Sequence, residues 1–308
     1  MAIPTSTQVV PRQVQAFEQA TYLTTPIDPV HFNPGLIMNV DVNENIDSEE
    51  IRIQGTRKIY SNIKMGREAT LSLEYALLNT TLLRYGTQDP AGAGTIGKGL
   101  EVILSQKLND VEHIRSASGC LTDSVSISLE RMPRVTQNFY VPNLTKWMTV
   151  TEYKTYLGLT GTAAPQYAAA LTGDPWSNLT GSNGSATTIT VDGSPVDVAR
   201  VTINVNNNIL KQKPLGFENP IYACPGNKAI TVSIEPFLYD NTFRDLVADY
   251  DSVEIICTLK ADTPDVDVTL TGCQFNSNAY TANTGSNDFI VSPLSGTCVD
   301  IDVSDSEA

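Results

Sequence analysis

The feature that most constrains the fold of this chain is a repeat, because short blocks of sequence recur in the same order in its two halves. Residues 40–46 (VDVNENI) match residues 203–209 (INVNNNI), and residues 69–74 (ATLSLE) match residues 230–235 (ITVSIE). The matched blocks lie 161 to 163 residues apart. This distance is close to the length of one domain, so the repeat predicts two tandem units of one fold. The other matches are Ile59-Tyr60 with Ile221-Tyr222, residues 99–108 with 252–259, residues 118–120 (SGC) with 271–273 (TGC), and residues 139–144 (FYVPNL) with 289–294 (FIVSPL).

The matched blocks have the pattern of half-buried strands. Residues 70–75 and 124–130 alternate polar with apolar side chains, which places one face of a strand in the core and the other in water. A short helix is predicted after Asn79-Thr80 in the first half and after Asn241-Thr242 in the second, since both pairs can cap a helix. The predicted fold is therefore all-β with short helices, as two tandem β-sandwich or barrel domains related by internal duplication.

The segments outside the repeat complete the predicted domain organisation. Prolines at five positions between residues 4 and 34 favour an extended arm, and a connector rich in Gly, Pro, Ser and Thr separates the two units. The predicted divisions are an N-terminal arm over 1–35, a first β domain over 36–150, a connector or small insertion over 151–198, and a second β domain with an acidic tail over 199–308.

Charge and cysteine content narrow the classes of function. The net charge is −14, and residues 151–308 hold 19 acidic and 7 basic side chains, a balance that disfavours binding to nucleic acid. No apolar run is long enough to span a membrane, and the first twenty residues lack the apolar stretch of a signal peptide. None of the five cysteines forms a Cys-x-x-Cys motif, so buried free thiols in a reducing compartment are expected.

Candidate catalytic and metal-binding groups are few. The two histidines, His31 and His113, stand in no metal or nucleophile motif, and the sequence contains no glycine-rich phosphate loop. Glu74 and Glu235 occupy equivalent repeat positions, which suits a structural role better than an acid and base pair. The sequence therefore predicts a protein that is not an enzyme, with no cofactor and no metal site.

Several of these blocks together resemble a known family. The run Ser118-Gly119-Cys120, the strand that follows it at 124–129, and the preceding strand and short helix resemble the tail tube protein of tailed bacterial or archaeal viruses. In that family a β-sandwich with one flanking helix is the unit, and rings of six units stack into the inner tube of the tail. The resemblance implies a virion protein assembled in the host cytoplasm, with no membrane association.

Two units in one chain give this resemblance a specific consequence. Three chains would complete a ring of six units, so the expected assembly is a trimeric, pseudo-hexameric ring that stacks into a conduit for genome DNA. Its partners would be further copies of itself and other tail proteins, such as the tape measure, terminator and baseplate or tip proteins. DNA would pass through the lumen without specific binding.

The solvent-facing sides of the predicted strands are candidates for the lumen wall. A conduit should not retain DNA, and these positions include no Lys or Arg. The candidates are Asp41, Asn43, Asn45, Thr70, Ser72, Glu74, Ser124, Ser126, Ser128, Glu130, Asn204, Asn206, Asn208, Thr231, Ser233 and Glu235.

Two other classes of function remain compatible with the residues. A surface-layer, pilus or adhesin-like subunit could also be a tandem acidic β-sandwich, and the chain contains Asn-x-Ser/Thr sequons such as Asn178-Leu179-Thr180. A glycan hydrolase would need two distinctive carboxylates in one cleft, and no such pair can be chosen from 34 acidic residues.

Overall fold

The computed structural model is almost entirely β-structure. It describes residues 13–18, 31–32, 37–52, 59–77, 80, 82–87, 99–108, 111–130, 133–156, 187–212, 222–236, 252–259, 265–278 and 294–306. The strands of the first half are β1 (Gln13–Glu18), β2 (His31–Phe32), β3 (Ile37–Arg52), β4 (Ile59–Ala76), β5 (Leu100–Leu108), β6 (Val111–Leu129), β7 (Arg134–Val141), β8 (Asn143–Leu144) and β9 (Met148–Thr149). Those of the second half are β10 (Thr187–Val191), β11 (Ser194–Val196), β12 (Val198–Asn206), β13 (Leu210–Gln212), β14 (Tyr222–Cys224), β15 (Ala229–Pro236), β16 (Val253–Leu259), β17 (Asp265–Asn278), β18 (Leu294–Cys298) and β19 (Asp300–Ser306). The helices are α1 (Arg84–Thr87) and α2 (Val150–Tyr156).

One antiparallel sheet runs through both halves of the chain. Its order is β3, β4, β7, the end of β6, β12, β15, β18 and the end of β17, with every neighbouring pair hydrogen-bonded. The strands β6 and β12 join the halves, since Ser124 pairs with Asn206 and Leu129 with Val201. We call this eight-stranded layer the inner sheet.

Each half adds an outer sheet that packs on the inner sheet and completes a sandwich. In the first half the outer sheet contains β1, β2, β5, the start of β6, β8 and β9. In the second half it contains β11, β10, β16, the start of β17 and β19. The long strands β6 and β17 belong to both layers, so they tie each outer sheet to the inner one. The prediction of an all-β fold with short helices is confirmed.

The two halves share the same pattern of strand pairing. The contacts β3–β4, β4–β7, β7–β6, β5–β6 and β1–β5 have the counterparts β12–β15, β15–β18, β18–β17, β16–β17 and β10–β16. A β-bulge even recurs at one place, between Thr122 and Ser124 and between Phe275 and Ser277.

Strand register corrects two of the sequence matches. Thr70 and Thr231 occupy equivalent positions in the repeat. Asn43 pairs with Thr70 and Asn204 pairs with Thr231, so Asn43 corresponds to Asn204 and not to Asn206. This shift of two residues leaves each side chain on its face, because side chains alternate with a period of two.

The second correction concerns the last block of the repeat. Leu71 and Val232 occupy equivalent positions in the repeat. Leu71 pairs with Phe139 and Val232 pairs with Gly296, so Phe139 corresponds to Gly296. The strand equivalent to residues 139–144 therefore starts near residue 296, and residues 289–293 lie outside the described part of the chain.

Two repeated glycines make the passage between layers possible. Gly119 and Gly272 have positive φ angles of 73° and 65°, a backbone conformation that side chains with a Cβ rarely adopt. Each lies where its long strand leaves the outer sheet for the inner one, which explains the recurrence of a Gly-Cys pair in the sequence. A Cβ atom on Gly272 would also lie 2.6 Å from Cγ2 of Val299.

The short helices follow from local sequence signals. For α2, Thr149 and Glu152 form a reciprocal capping box: the Glu152 carboxylate accepts the Thr149 amide proton (2.8 Å), and the Thr149 hydroxyl accepts that of Glu152 (3.3 Å). The Thr149 hydroxyl also donates to the Glu152 carboxylate at 3.1 Å, and the bonds from the Thr149 amide and hydroxyl to this carboxylate lower the pKa of Glu152. The single turn of α1 follows Thr80, whose carbonyl accepts the Arg84 amide proton. The helix predicted after Asn241-Thr242 lies outside the described residues.

One hydrophobic core extends through both halves. Apolar side chains of β6 and β12, such as Ile127 and Ile203, meet in it with no exposed surface. Four cysteines are buried as predicted, but Cys224 on β14 is exposed.

Strands also occur in the segments expected to lie outside the domains. In the predicted arm, β1 pairs with β5 over six residues, from Gln13 with Ser105 to Glu18 with Leu100. In the predicted connector, β10 pairs with β16 and extends the outer sheet of the second half. Both segments contain prolines and glycines, yet the strands form because an edge of each outer sheet offers backbone hydrogen bonds.

Candidate functional site: the polar face of the inner sheet

The inner sheet brings the lumen candidates of both halves onto one solvent-facing surface. Fourteen of the sixteen lie on its strands, alternating with core residues such as Leu71 and Ile203. The other two lie just outside: Glu130 follows β6, and Asn208 follows β12 with a φ of 47°. Most are exposed, and the rest are partly exposed. We call this surface the polar face.

Cross-strand register aligns polar residues in a continuous row over all eight strands. Each member pairs directly with its neighbour, so the row crosses the joint between the halves without an apolar position. It consists of Asn39, Glu74, Thr136, Ser126, Asn204, Thr231, Thr297 and Gln274.

Hydrogen bonds between side chains hold parts of this surface in place. The Ser126 hydroxyl donates to the Asn204 amide oxygen at 2.7 Å, which links the two halves across the joint. The Asn138 amide donates to the Ser124 hydroxyl at 3.0 Å. Because these side chains are hydrogen-bonded to each other, fewer hydrogen-bond donors on this surface are free to bind a phosphate.

The polar face also includes two arginines that are not among the candidates. Arg134 on β7 pairs with Ser128, and Arg200 on β12 pairs with Glu235, so both side chains lie on this face. Each is matched by carboxylates: Arg200 lies 2.7 Å from Glu130 and 3.9 Å from Glu235, and Arg134 lies 3.5 Å from Glu74.

These arginines do not make the polar face basic. The ion pairs oppose each positive charge with at least one negative charge a few ångströms away, so the field that reaches a polyanion is weak. Both arginines lie near the beginnings of strands, where the polar–apolar alternation that predicts a solvent-facing side is weak.

Sequence reasoning also missed the contribution of β7. Thr136 and Asn138 lie on the polar face, while Gln137 points into the core with no exposed surface. Its side-chain amide is hydrogen-bonded through both oxygen and nitrogen. The oxygen accepts from the Tyr75 hydroxyl (2.8 Å), and the nitrogen donates to the Thr122 hydroxyl (2.8 Å) and to the Leu82 carbonyl (3.3 Å). A buried glutamine removes the polar–apolar alternation, so the strand gave no clear signal.

A hairpin covers one end of the polar face. The strands β13 and β14 lie over Tyr140 and Leu121, which are buried together with Ala223. The Lys211 ammonium lies 4.4 Å from the centre of the Tyr140 ring and 3.3 Å from Glu68, so its charge is also balanced.

Polar contacts strengthen the joint between the halves beneath this face. The Asn207 amide donates to the carbonyls of Gly86 and Thr122, each at 3.0 Å. The Lys228 ammonium donates to the carbonyl of Thr87 at 2.9 Å. The second half therefore caps the end of α1, where helix carbonyls have no partner within the helix. The two halves form one continuous layer with a defined register.

Chemistry other than assembly has little support among the described side chains. No group of three or more His, Cys, Asp or Glu residues there could hold a metal ion. His113 contacts the carbonyl of Val111 at 3.1 Å on its own strand, away from the polar face. None of the described helices is long and apolar enough to cross a membrane.

Comparison with known families decides the class of protein. The family model for the phage tail tube protein matches residues 12–298, most of the chain. The chain belongs to the phage tail tube protein family. A search of curated proteins finds no match. Tail tube proteins are structural and non-enzymatic components of the virion tail, and the family implies self-assembly into a tube together with other tail proteins. In such a tail tube protein, a polar surface shared by both halves is the natural candidate for a tube wall.

Proposed function

We propose that three copies of this chain close into a ring and that the rings stack into a hollow tube through which genome DNA is delivered. The observation that supports this proposal is the inner sheet, which presents one polar face through both halves. A sheet of this kind, when it curves around an axis, can form the wall of a tube, with the outer sheets on the outside. Each chain then contributes two sandwich units, and three chains make a pseudo-hexameric ring.

The polar face is proposed to line the lumen. Each basic contact to a phosphate adds affinity by releasing a counterion, so a wall that passes DNA should offer few free cations. Hydroxyl and amide side chains dominate this face, and Arg134, Arg200 and Lys211 all lie beside carboxylates. DNA would slide along such a wall without specific binding.

The joint within the chain supplies a template for the joint between chains. Among the described strands, β3 pairs in the inner sheet only with β4, and the end of β17 only with β18. By the pairing pattern, β17 corresponds to β6 and β3 to β12, which are the two strands that meet inside the chain. The end of β17 in one copy should therefore pair with β3 of the next.

The corresponding register can be stated at residue level. Ser124 pairs with Asn206 inside the chain. The bulges make Ser277 equivalent to Ser124, and the β3–β4 register makes Asn45 equivalent to Asn206. Ser277 of one copy should thus lie opposite Asn45 of the next. Pairing of these strands also removes sheet edges that would otherwise aggregate.

The ends of the rings would contact further copies and other tail proteins. A head-to-tail contact that does not close on itself gives an open filament, which suits a tube of stacked rings. The tape measure protein inside the tube, a terminator at one end and a baseplate or tip complex at the other are the proposed partners.

Electron microscopy with mass photometry tests the assembly. The purified chain, examined over a range of protein and salt concentrations, should give hollow rings or tubes with three chains per ring. A flat lattice or fibres without a lumen would contradict the proposal.

Disulfide cross-linking tests the joint. In a Cys224→Ser background, Ser277→Cys with Asn45→Cys should give covalent dimers and trimers on a non-reducing gel. The matched control, Ser124→Cys with Asn206→Cys, should cross-link only within one chain. Rings that form without the Ser277–Asn45 cross-link would refute the register and leave the tube itself intact.

A further inference from the structure

Three thiols lie close together in the core of the second half. Cys257, Cys273 and Cys298 are buried in the core, with Cys298 the most exposed at 9%, and both Cys257 and Cys298 lie close enough to Cys273 to raise its pKa. The Cys298 thiol is the hydrogen-bond partner of the Cys273 thiol, and this contact together with burial raises the pKa of Cys273. The three cysteines are free thiols.

Strand register places two of these thiols directly opposite each other. Gln274 pairs with Thr297 on one side, and Thr271 pairs with Asp300 on the other, with the same register. Extended across the gap between these two ladders, the register puts Cys273 opposite Cys298. Residues opposed in this way have Cα atoms about 4.5 to 5.5 Å apart, which is within the range of about 4.4 to 6.8 Å found in disulfides.

We propose that Cys273 and Cys298 form a disulfide bond when the tail leaves the reducing interior of the cell. Virions outside cells meet an oxidising environment in which disulfides persist. The oxidant is a small-molecule disulfide. The Cys298 thiolate attacks one of its sulfurs and releases a first small thiol; the Cys273 thiolate then attacks Cys298 and releases a second. The protein loses two protons and two electrons, and one small-molecule disulfide becomes two thiols.

The position of the pair in the sheet allows the reagent to enter. The end of β17 pairs with β18 alone among the described strands of the inner sheet, and its ladder is interrupted by a bulge at Phe275. The bulge disrupts this ladder, so the segment opens locally more readily than a regular strand, also in a ring where the next copy pairs with the other side of β17. Cys298, the more exposed of the two thiols, reacts first.

The first half of the chain provides an internal comparison. Leu121 pairs with Tyr140 and Ser118 with Asn143, so the residue opposite Cys120 is Val141. Cys120 instead donates a hydrogen bond to the carbonyl of Ala117 at 3.2 Å. The same site in the fold thus has two thiols in one half and one thiol in the other.

Thiol counting by mass spectrometry tests the proposal. The chain with Cys224→Ser, which lacks the exposed thiol that glutathione would cap, is incubated with oxidised glutathione, quenched with acid, unfolded and alkylated. The four alkylated cysteines of this reduced chain should fall to two, and peptide mapping should find a link between Cys273 and Cys298. Cys298→Val, which copies the first half, should abolish the link, whereas Cys257→Ala should retain it. Val141→Cys should create a second disulfide, with Cys120.

The outcomes separate the proposal from simpler behaviour. Four free thiols after equilibration, or a disulfide that uses Cys257, would overturn it. If Cys298→Val does not fold, the peptide map of the Cys224→Ser chain still decides. The bond would close a loop of 26 residues, so the oxidised protein should have a folded-to-unfolded ratio on the order of 100-fold higher than the reduced one.

Discussion

Replacement of Asn207 by alanine should weaken the joint between the two halves of the chain. The Asn207 side chain is buried and donates to the carbonyls of Gly86 and Thr122, and its backbone amide donates to the Asp123 carbonyl at 2.8 Å. The substitution keeps the backbone contact and removes both side-chain hydrogen bonds. It leaves two buried carbonyl groups without those donors.

The expected loss of stability follows from these contacts. Each buried group that loses its partner costs about 1–3 kcal/mol, and a water that enters the vacated space recovers part of this. We therefore expect Asn207→Ala to lower the free energy of unfolding by about 3 kcal/mol. With an unfolding entropy of about 2.1 cal/mol/K per residue, a chain of 308 residues that unfolds as one unit should lose about 5 °C in Tm.

The matched control makes the same chemical change at an exposed position of the neighbouring strand. Asn204 accepts one hydrogen bond, from the Ser126 hydroxyl, and is exposed to water. Asn204→Ala should change the free energy of unfolding by less than about 0.5 kcal/mol. Urea unfolding of both variants, followed by circular dichroism, gives the two values. Equal destabilisation by the two substitutions would refute the reasoning that Asn207 holds the joint.

Three further predictions follow from the same structure. Gly272→Ala should destabilise the chain by about 1–3 kcal/mol in urea unfolding, because the added Cβ meets Val299 at a positive φ; an unchanged midpoint would contradict the close approach. Burial raises the pKa of Cys257 from 9.0 to about 12, so the native thiol keeps a proton that the unfolded chain loses. The free energy of unfolding should therefore fall as the pH rises from 9 towards 12. Cys257→Val should reduce this fall, and a variant with the same pH profile as the unmodified chain would contradict the prediction. Virions with Asn204→Lys should eject DNA more slowly at low salt than virions with Thr269→Lys on the outer sheet, and equal rates would argue against the polar face as the lumen wall.

The distribution of charge explains why a tail tube protein can tolerate arginines on its polar face. Arg200 has about half of its side chain exposed and lies between two glutamates. An exposed ion pair of this kind contributes at most about 1 kcal/mol to stability. We propose that the contribution of this ion pair is electrostatic, because the two glutamates neutralise the positive charge of Arg200 on the surface proposed to line the lumen.

Much of the fold could be read from the sequence, because its signals are local. The alternation of side chains in residues 70–75 and 124–130 depends only on the period of a strand, and these segments lie in β4 and β6, with Glu130 directly after β6. The Gly-Cys pairs recur in the sequence at the two places where Gly119 and Gly272 have a positive φ. The same alternation identified the solvent-facing side of most strands that form the polar face.

What only the tertiary structure decided is how strands from distant parts of the chain lie side by side. Hydrogen-bond register set the β6–β12 joint, placed Arg134 and Arg200 beside glutamates, and set Cys273 opposite Cys298. A bulge or a shift of two residues changes such neighbours while leaving the polar–apolar pattern of each strand unaltered. The sequence therefore determined which face of each strand meets water, and the pairing of strands determined which residues share that face.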